Sequence, residues 1–376
     1  MLKVLLAGGG TAGHINPALA IASIIKEHIP DAEFLYAGTP KGMESRLVPK
    51  AGYDFAPIKV SGFQRKLTPQ NILRNIKTVA YLTTAGHRAK QIIKEFQPDI
   101  VIGTGGYVSG PIVLKAADMG IKTAIHEQNA YPGVTTRLLS KRVDEVMLTV
   151  EEAKEYLEKD ISYTVTGLPV RKGFCTMTKQ QAKKELDIPE NELCILSYGG
   201  SLGAGRINET VAELMEWEVK NGKDWTHIHS YGGMGKDTFL QDIASRGVDY
   251  ENNFRIRVKE YIDNMPVCMA AADLVICRSG ANTLSELEAL GRASILIPSP
   301  NVAGNHQYHN AMVLGKAGAA VVIEEKNLSG SVLIEKVSSL CSDKDKLDCF
   351  AKRAASLYVT DTPDRIFGVI EKLITK

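Results

Sequence analysis

No stretch of this 376-residue chain approaches the roughly 18–20 consecutive apolar residues that a membrane-spanning helix needs. Its six cysteines, Cys175, Cys194, Cys268, Cys277, Cys341 and Cys349, include no CxxC pair. That spacing argues against a zinc ribbon or a dithiol redox motif and for free thiols in a reducing cytosol. Charge of one sign is also missing: 45 Lys and Arg against 43 Asp and Glu leave a formal +2, so no bulk nucleic-acid partner is expected. No low-complexity segment breaks the chain. The N-terminal MLKVLLAGGG runs straight into glycines, without an h-region and small-residue cleavage site, so no signal peptide is expected. The one DxD string, Asp343-Lys344-Asp345, sits in a charged segment near the C-terminus and reads as solvated surface. His306 and His309, three residues apart without acidic neighbours, make a poor metal site. No metal is expected.

What the chain has is a repeated alternation of short apolar strands with amphipathic helices, which predicts parallel sheets covered on both faces. In the first half, Lys3–Ala7, Glu33–Ala37, Ile100–Ile102, Thr123–His126 and Glu145–Leu148 read as strands. In the second half the strands are Cys194–Tyr198, His227–Tyr231, Phe254–Val258, Leu274–Cys277, Ser294–Ile297 and Ala320–Ile323. The pattern restarts after Pro169-Val170-Arg171, which places a linker at about Thr166–Arg171. The chain is too long for one ordinary domain. Its two halves echo each other: VLLAGGGTAGH and ILSYGGSLGAG are both strand, glycines, small residues, helix. Two related Rossmann-like domains facing a cleft are expected, with ligands beyond the carboxyl ends of the strands.

Three glycine loops stand at those strand ends: Ala7–His14, Gly103–Pro111 and Tyr198–Asn208. Glycines after a strand let backbone N–H groups approach an anion, and three such loops suggest more than one phosphate. Gly8, Gly10 and Gly13 satisfy GxGxxG, yet the second strand closes Leu35-Tyr36-Ala37-Gly38-Thr39 without the acid that a dinucleotide ribose needs. His14, just past the first loop, lies near a helix N-terminus, where the dipole favours a neutral imidazole able to accept a proton. Pro17 then suits the first helical turn. In CRSGANTLSE (Cys277–Glu286) a strand turns into a helix beginning near Asn282 or Thr283, placing Glu286 in its first turn as a carboxylate for a ribose diol. Asn305, His306, Gln307, His309 and Asn310 form a polar cluster suited to sugar hydroxyls.

Taken together, GGGTAGH, GTGGYVSGP, HEQN (His126–Asn129), PVR (Pro169–Arg171), GGSLGA, CRSGANTLSE and NHQYHNA resemble the MurG family, in order and over nearly the whole chain. These transferases add N-acetylglucosamine (GlcNAc) to undecaprenyl-pyrophosphoryl-MurNAc-pentapeptide, known as lipid I. The resemblance implies the GT-B architecture. Residues 1–165 would bind acceptor and membrane, with a C-terminal helix (about Thr362–Ile374) packed back on them, and residues 166–361 would bind UDP-GlcNAc. It implies that Arg171, Ser201 and the Gly199–Ala204 backbone, Gly200 included, meet the UDP diphosphate. Ile262 would contact uracil through its backbone and Glu286 the ribose. Arg278 and the turn of Ala281, Asn282 and Thr283 would cover phosphate and sugar, and Gln307 with His306 would hold GlcNAc. Thr11, Gly13, His14, Gly105, Gly106, Tyr107, Ser109, Glu127 and Asn129 would receive the acceptor pyrophosphate and MurNAc. Leu168, Leu202 and His306 depart from the family's usual residues.

The reaction so implied inverts the α-linked donor to a β-1,4 product, with His14 as candidate base and Glu127 or a water relay as alternatives. No cofactor is required. The lipid acceptor implies a peripheral place on the cytoplasmic face of the cell membrane, and cell-wall synthesis proteins as partners. Eight basic residues between Lys59 and Phe96 (Lys59, Arg65, Lys66, Arg74, Lys77, Arg88, Lys90 and Lys94) face one acid, Glu95, with Ile72, Leu73, Ile76, Val79 and Leu82 at helical spacing. That pattern suits either an anionic membrane surface or a core-facing stripe with a solvated basic face. Competing readings are a UDP-sugar epimerase on the same fold, a dinucleotide oxidoreductase and a noncatalytic nucleotide-sugar binder.

Overall fold

The computed structural model describes residues 1–60, 84–200 and 202–375. The chain divides into two compact units, Met1–Pro169 with Val359–Lys376, and Val170–Tyr358. The first carries β1 (Lys3–Gly8), β2 (Glu33–Gly38), β3 (Asp54–Pro57), β4 (Ile100–Gly105), β5 (Lys122–Glu127), β6 (Glu145–Leu148) and β7 (Tyr163–Val165). They form one sheet in the order β3-β2-β1-β4-β5-β6-β7, parallel throughout. A short β8 (Lys172–Cys175) stands outside both sheets. The second unit carries β9 (Leu193–Tyr198), β10 (Trp225–Ser230), β11 (Ile256–Lys259), β12 (Leu274–Cys277), β13 (Ala293–Leu296) and β14 (Ala320–Val322). Their order, β11-β10-β9-β12-β13-β14, is again all parallel. Each sheet reverses direction of growth beside its first strand, β1 or β9, which is the switch point where doubly wound sheets bind ligands.

The strands read as near-continuous apolar runs because both faces are covered. Val4, Leu5 and Leu6 of β1 and Ile100, Val101 and Ile102 of β4 have no exposed surface. Their alternate side chains feed two separate cores, one with Val4 and Leu6 and one with Leu5. The expectations missed β3, β7 and β8. β3 and β7 are the edge strands of their sheet, half-exposed and too short to show a continuous apolar run. Phe254 also falls outside β11: it is 68% exposed, and the strand begins only at Ile256.

Helix Ala12–His28 lies against β1, and helix Thr362–Ile374 packs on it through Ile366, Ile370 and Leu373, with His28 stacked on Phe367 at 3.9 Å. Pro17 is the sixth residue of helix Ala12–His28, not part of its first turn. The helix starts at Ala12, earlier than its proline suggested. Pro17 therefore leaves the Gly13 carbonyl without its usual intrahelical donor. The DxD string begins at a cap: the Asp343 carboxylate accepts from the Lys346 N–H at 3.0 Å and starts helix Lys344–Leu357. Among the described residues, no helix is long and apolar enough to cross a membrane.

Beneath the second sheet, Ser197, His227 and Glu218 line up like a hydrolytic triad. The Ser197 hydroxyl donates to His227 Nε2 at 2.7 Å, and His227 Nδ1 donates to both Glu218 oxygens at 3.0 Å. Ser197 and His227 have no exposed surface and Glu218 only 3%, so no substrate can reach them. The cluster is a satisfied core network. Its neighbour His229 donates from Nδ1 to the Ser197 carbonyl at 3.1 Å, while its Nε2 is buried without a partner. Burial, and then the nearby His227, push the His229 pKa down to about 3. The native state thus holds His229 neutral, and stability present above the unfolded pKa is lost as pH falls from about 6.5 toward 3. Between pH 7 and 5 this one group should cost about 2 kcal/mol. Urea unfolding of wild type and His229→Gln at both pH values checks it: the variant should lose distinctly less, and equal losses would place the titration elsewhere.

Candidate active site

In the first unit three loops converge at the carboxyl ends of β1, β4 and β5. Gly105 and Gly106 both have positive φ, +104° and +76°. A Cβ on Gly106 would lie 2.3 Å from the Gly9 carbonyl oxygen, and one on Gly105 would lie 2.7 Å from His14 Nδ1. The second loop therefore lies flush against the first and directly against the His14 ring. Thr104 fixes the same contact by donating its hydroxyl to the His14 carbonyl at 2.7 Å. His14 is the third residue of its helix and half-buried, with its backbone N–H bonded to the Thr11 carbonyl at 3.1 Å. Thr11 is the exposed N-cap, and its side chain does not cap the helix. The first-turn N–H groups of Ala12 and Gly13 thereby take no hydrogen bond from the N-cap side chain.

Glu44, which the sequence reading did not single out, is fully buried under the first loop. Its carboxylate accepts from the Thr39 N–H at 2.9 Å, the Thr39 hydroxyl at 2.5 Å and the Gly10 N–H at 3.3 Å. Burial works against its ionisation, but these hydrogen bonds prevail and hold its pKa below the usual carboxylate value. The Gly10 N–H is consequently spoken for within the protein.

Glu127 and Asn129 end β5 and begin the next loop. The buried Glu127 carboxylate accepts from the Asn129 N–H and amide at 3.0 Å each, from the Gly133 N–H at 3.0 Å and from the Thr136 hydroxyl. Four donors on two oxygens leave Glu127 tying down the loop that presents Asn129. Tyr107 is 57% exposed beside the glycines. Ser109 is not: it is 1% exposed and its hydroxyl is turned under the loop, so that a Cβ on Gly103 would meet it at 2.3 Å. The Ser109 hydroxyl thus lies behind the loop, because the helix starting at Gly106 turns its fourth residue inward.

In the second unit the carboxyl ends of β9 and β12 open on a cavity of about 620 Å³. Gly200, Arg278, Thr283 and Gln307 line it, together with Arg206 and Glu325, which the sequence reading missed. Gly199 turns so tightly that a Cβ would sit 2.4 Å from the Ala204 N, and Gly203 (φ +83°) presses on the Tyr231 carbonyl, 2.3 Å from any Cβ. Helix Ala281–Leu290 begins here, so Ala281, Asn282 and Thr283 form its N-terminal turn and present its positive end. Arg278 is held by the Ile297 and Pro298 carbonyls at 3.1 and 3.3 Å and pairs with Glu325. Gln307 accepts from the Ser299 N–H at 2.9 Å, and His306 Nδ1 donates to the Ala303 carbonyl at 2.9 Å. Ile262 is a core residue, 2% exposed, with only its backbone to offer. Ser201 lies outside the described residues.

Glu286 stands in the second helical turn, not the first, because the helix starts at Ala281. It is outside the residues lining the cavity and forms an ion pair with Arg171, whose Nε and Nη2 both donate to Oε1 at 2.7 Å. Burial raises the Glu286 pKa despite that partner. Arg171, half-exposed, also stacks over Phe174 at 5.0 Å.

Two parallel α/β units with glycine loops at their switch points have the architecture of the sugar-nucleotide enzymes of the GT-B class. Residues 4–148 match the glycosyltransferase family 28 N-terminal domain, and residues 194–365 its C-terminal domain. A protein of Acetivibrio thermocellus is 44% identical over 99% of this chain and 98% of its own length. One of Desulforamulus reducens is 40% identical over the full length of both. Both bear the name UDP-N-acetylglucosamine–N-acetylmuramyl-(pentapeptide) pyrophosphoryl-undecaprenol N-acetylglucosamine transferase. The crystal structure of Acinetobacter baumannii MurG superposes with a TM-score of 0.78 at 26% identity, covering 99% of this chain and all of that one. A UDP-GlcNAc 2-epimerase of Neisseria meningitidis shares the fold, at a TM-score of 0.65 and 14% identity over the whole of both chains. The chain belongs to glycosyltransferase family 28 and, within it, to the MurG transferases.

The close approach of Gly106 to Gly9 is testable apart from activity. Gly106→Ala should cost at least about 2 kcal/mol, through its positive φ and the clash with a backbone carbonyl. Gly110→Ala, whose Cβ would meet only Thr135 at an ordinary 3.7 Å, should be neutral or slightly stabilising within its helix. Equal thermal midpoints for the two variants would show that the loops are not locked together.

Proposed function

We propose that this protein transfers GlcNAc from UDP-GlcNAc to the C4 hydroxyl of MurNAc in lipid I, with inversion, giving the β-1,4-linked lipid II of peptidoglycan synthesis. The observation that carries the reading is the 40–44% identity, over essentially the whole chain, to transferases named for that reaction. The second unit takes the donor. Its glycine loop, the helix beginning at Ala281 and the cavity arginines Arg206 and Arg278 supply positive potential for a diphosphate. Arg171 exchanges Glu286 for the diphosphate as the donor enters, and Glu286 turns to the ribose diol. Gln307 and His306 hold the sugar, and the Ile262 backbone meets the base.

The acceptor belongs to the first unit. The N–H groups of Ala12 and Gly13 and the Gly105–Gly106 backbone receive its pyrophosphate, and Tyr107 and Asn129 flank the MurNAc. Glu127 serves by presenting Asn129, since its own oxygens are already filled. His14 Nε2 takes the C4 hydroxyl proton as the oxygen attacks the anomeric carbon. The bond from that carbon to the UDP oxygen breaks, and the departing charge passes to the donor-side N–H groups and arginines. A positioned base of this kind contributes about 10²–10⁴-fold. Among the described residues no group of three His, Cys, Asp or Glu side chains is placed to hold a metal ion, and the Asp343 carboxylate caps a helix. Attachment to an anionic membrane surface fits the basic run 59–96. In its described helical part, 84–96, Ala85, Ala89, Ile92 and Ile93 turn into the core, which leaves the basic side to the surface. Arg65, Lys66, Arg74, Lys77 and the apolar residues 72–82 lie outside the described residues.

The test is release of UDP from labelled UDP-GlcNAc with and without a soluble lipid I analogue. Acceptor-dependent release is expected, and release that ignores the acceptor would favour an epimerase or hydrolase. His14→Ala should lower kcat by about 10²-fold or more with donor affinity largely intact. Glu286→Ala should instead weaken UDP-GlcNAc binding. A large loss of UDP affinity in His14→Ala would overturn the assignment of His14 to the acceptor side.

A further inference from the structure

Behind His14 runs a chain of hydrogen bonds whose direction can be read from one end. His126 is fully buried, and burial lowers its pKa, so its ring is neutral and carries one N–H. His126 Nε2 lies 2.9 Å from the Gly167 carbonyl oxygen, which can only accept, so the ring proton is on Nε2. Its Nδ1 is then an acceptor, 3.2 Å from Gln128 Nε2, and the same amide nitrogen also donates to the His126 carbonyl at 2.8 Å. With its nitrogen facing those two acceptors, Gln128 must turn its oxygen the other way. That oxygen lies 3.1 Å from His14 Nδ1. A carbonyl oxygen requires a donor, so in the neutral ring the His14 proton is on Nδ1 and the lone pair is on Nε2.

We propose that Gln128 is a positioning residue that fixes His14 in the Nδ1–H tautomer, leaving Nε2 as the sole proton acceptor of the ring. An isolated neutral imidazole favours the opposite tautomer modestly, and in that form no lone pair would stand on the Nε2 side. The Gln128 side chain is 4% exposed, so water does not compete for its oxygen. The amide cannot flip without setting its N–H₂ against the His14 N–H and its oxygen against the His126 lone pair, which locks the whole chain in one sense. Its anchor, Gly167, has φ +73° and is wedged where a Cβ would strike Thr362 Oγ1 at 2.4 Å, so the terminal acceptor is itself fixed. The catalytic meaning rests on His14 being the base, whereas the tautomer is a separate and directly visible property.

Full-length protein labelled with ¹⁵N-histidine, observed at a pH where His14 is neutral, reports the tautomer through long-range ring ¹H–¹⁵N correlations. The His14 signals are identified by their loss in His14→Ala. Wild type should show a protonated Nδ1 and an unprotonated Nε2; a protonated Nε2 overturns the proposal without any variant. In Gln128→Leu the His14 signals should move toward the Nε2–H form. Its kcat should fall on the order of 10–100-fold, with KM for UDP-GlcNAc within about twofold. An unchanged tautomer in Gln128→Leu refutes the role. If the tautomer behaves as stated but His14→Ala keeps full kcat, the base assignment fails while the relay stands.

Discussion

Backbone-to-backbone contact without a side chain between is the constraint on which both sites depend. In the first unit the β4 loop reaches the β1 loop only because Gly106 has no Cβ to set against the Gly9 carbonyl. In the second, Gly203 meets the Tyr231 carbonyl and Gly232 under the same restriction. These contacts bring the ends of neighbouring parallel strands together, so that N–H groups, helix N-termini and a few side chains share one small volume. The same closeness seats the His14 ring against Gly105, whose positive φ takes the chain out of its way.

Charge in each unit is arranged by what is already satisfied. Glu127 and Glu44 are buried carboxylates, yet Glu127 is filled by donors of its own loop and Glu44 by Thr39 and the Gly10 N–H, so each acts as a strut. Arg278 is similarly pinned, by two carbonyls and Glu325. Arg171 and Glu286 differ. Their pair joins a half-exposed guanidinium to a buried carboxylate that is costly to ionise, which leaves it less firmly committed than Glu127 or Arg278.

Much of the fold was legible because parallel strands covered on both faces are unbroken apolar runs and their glycine loops are conspicuous. β3 and β7 escaped because edge strands bury too little to need such a run. Of the site, the loops, His14 and the polar segment around Gln307 could be seen in the chain. Glu44 and Glu325 could not, since each is brought to its loop from a distant part of the sequence. Gln128 lay in plain view within His126–Asn129, one residue past the end of β5. Nothing in that position, however, says that Gln128 meets His14.

The sequence by itself determined that two Rossmann-like units would each end in glycine loops, because residue type alone sets strand propensity, helix onset and the freedom to adopt positive φ. Tertiary structure decided which polar groups remain available. It turned Ser109 inward, moved Glu286 into the second turn and paired it with Arg171, and gave His14 a directed hydrogen-bond partner. Hydrogen bonds are satisfied by neighbours in space, and the neighbour of His14 that matters stands 114 residues away in the chain.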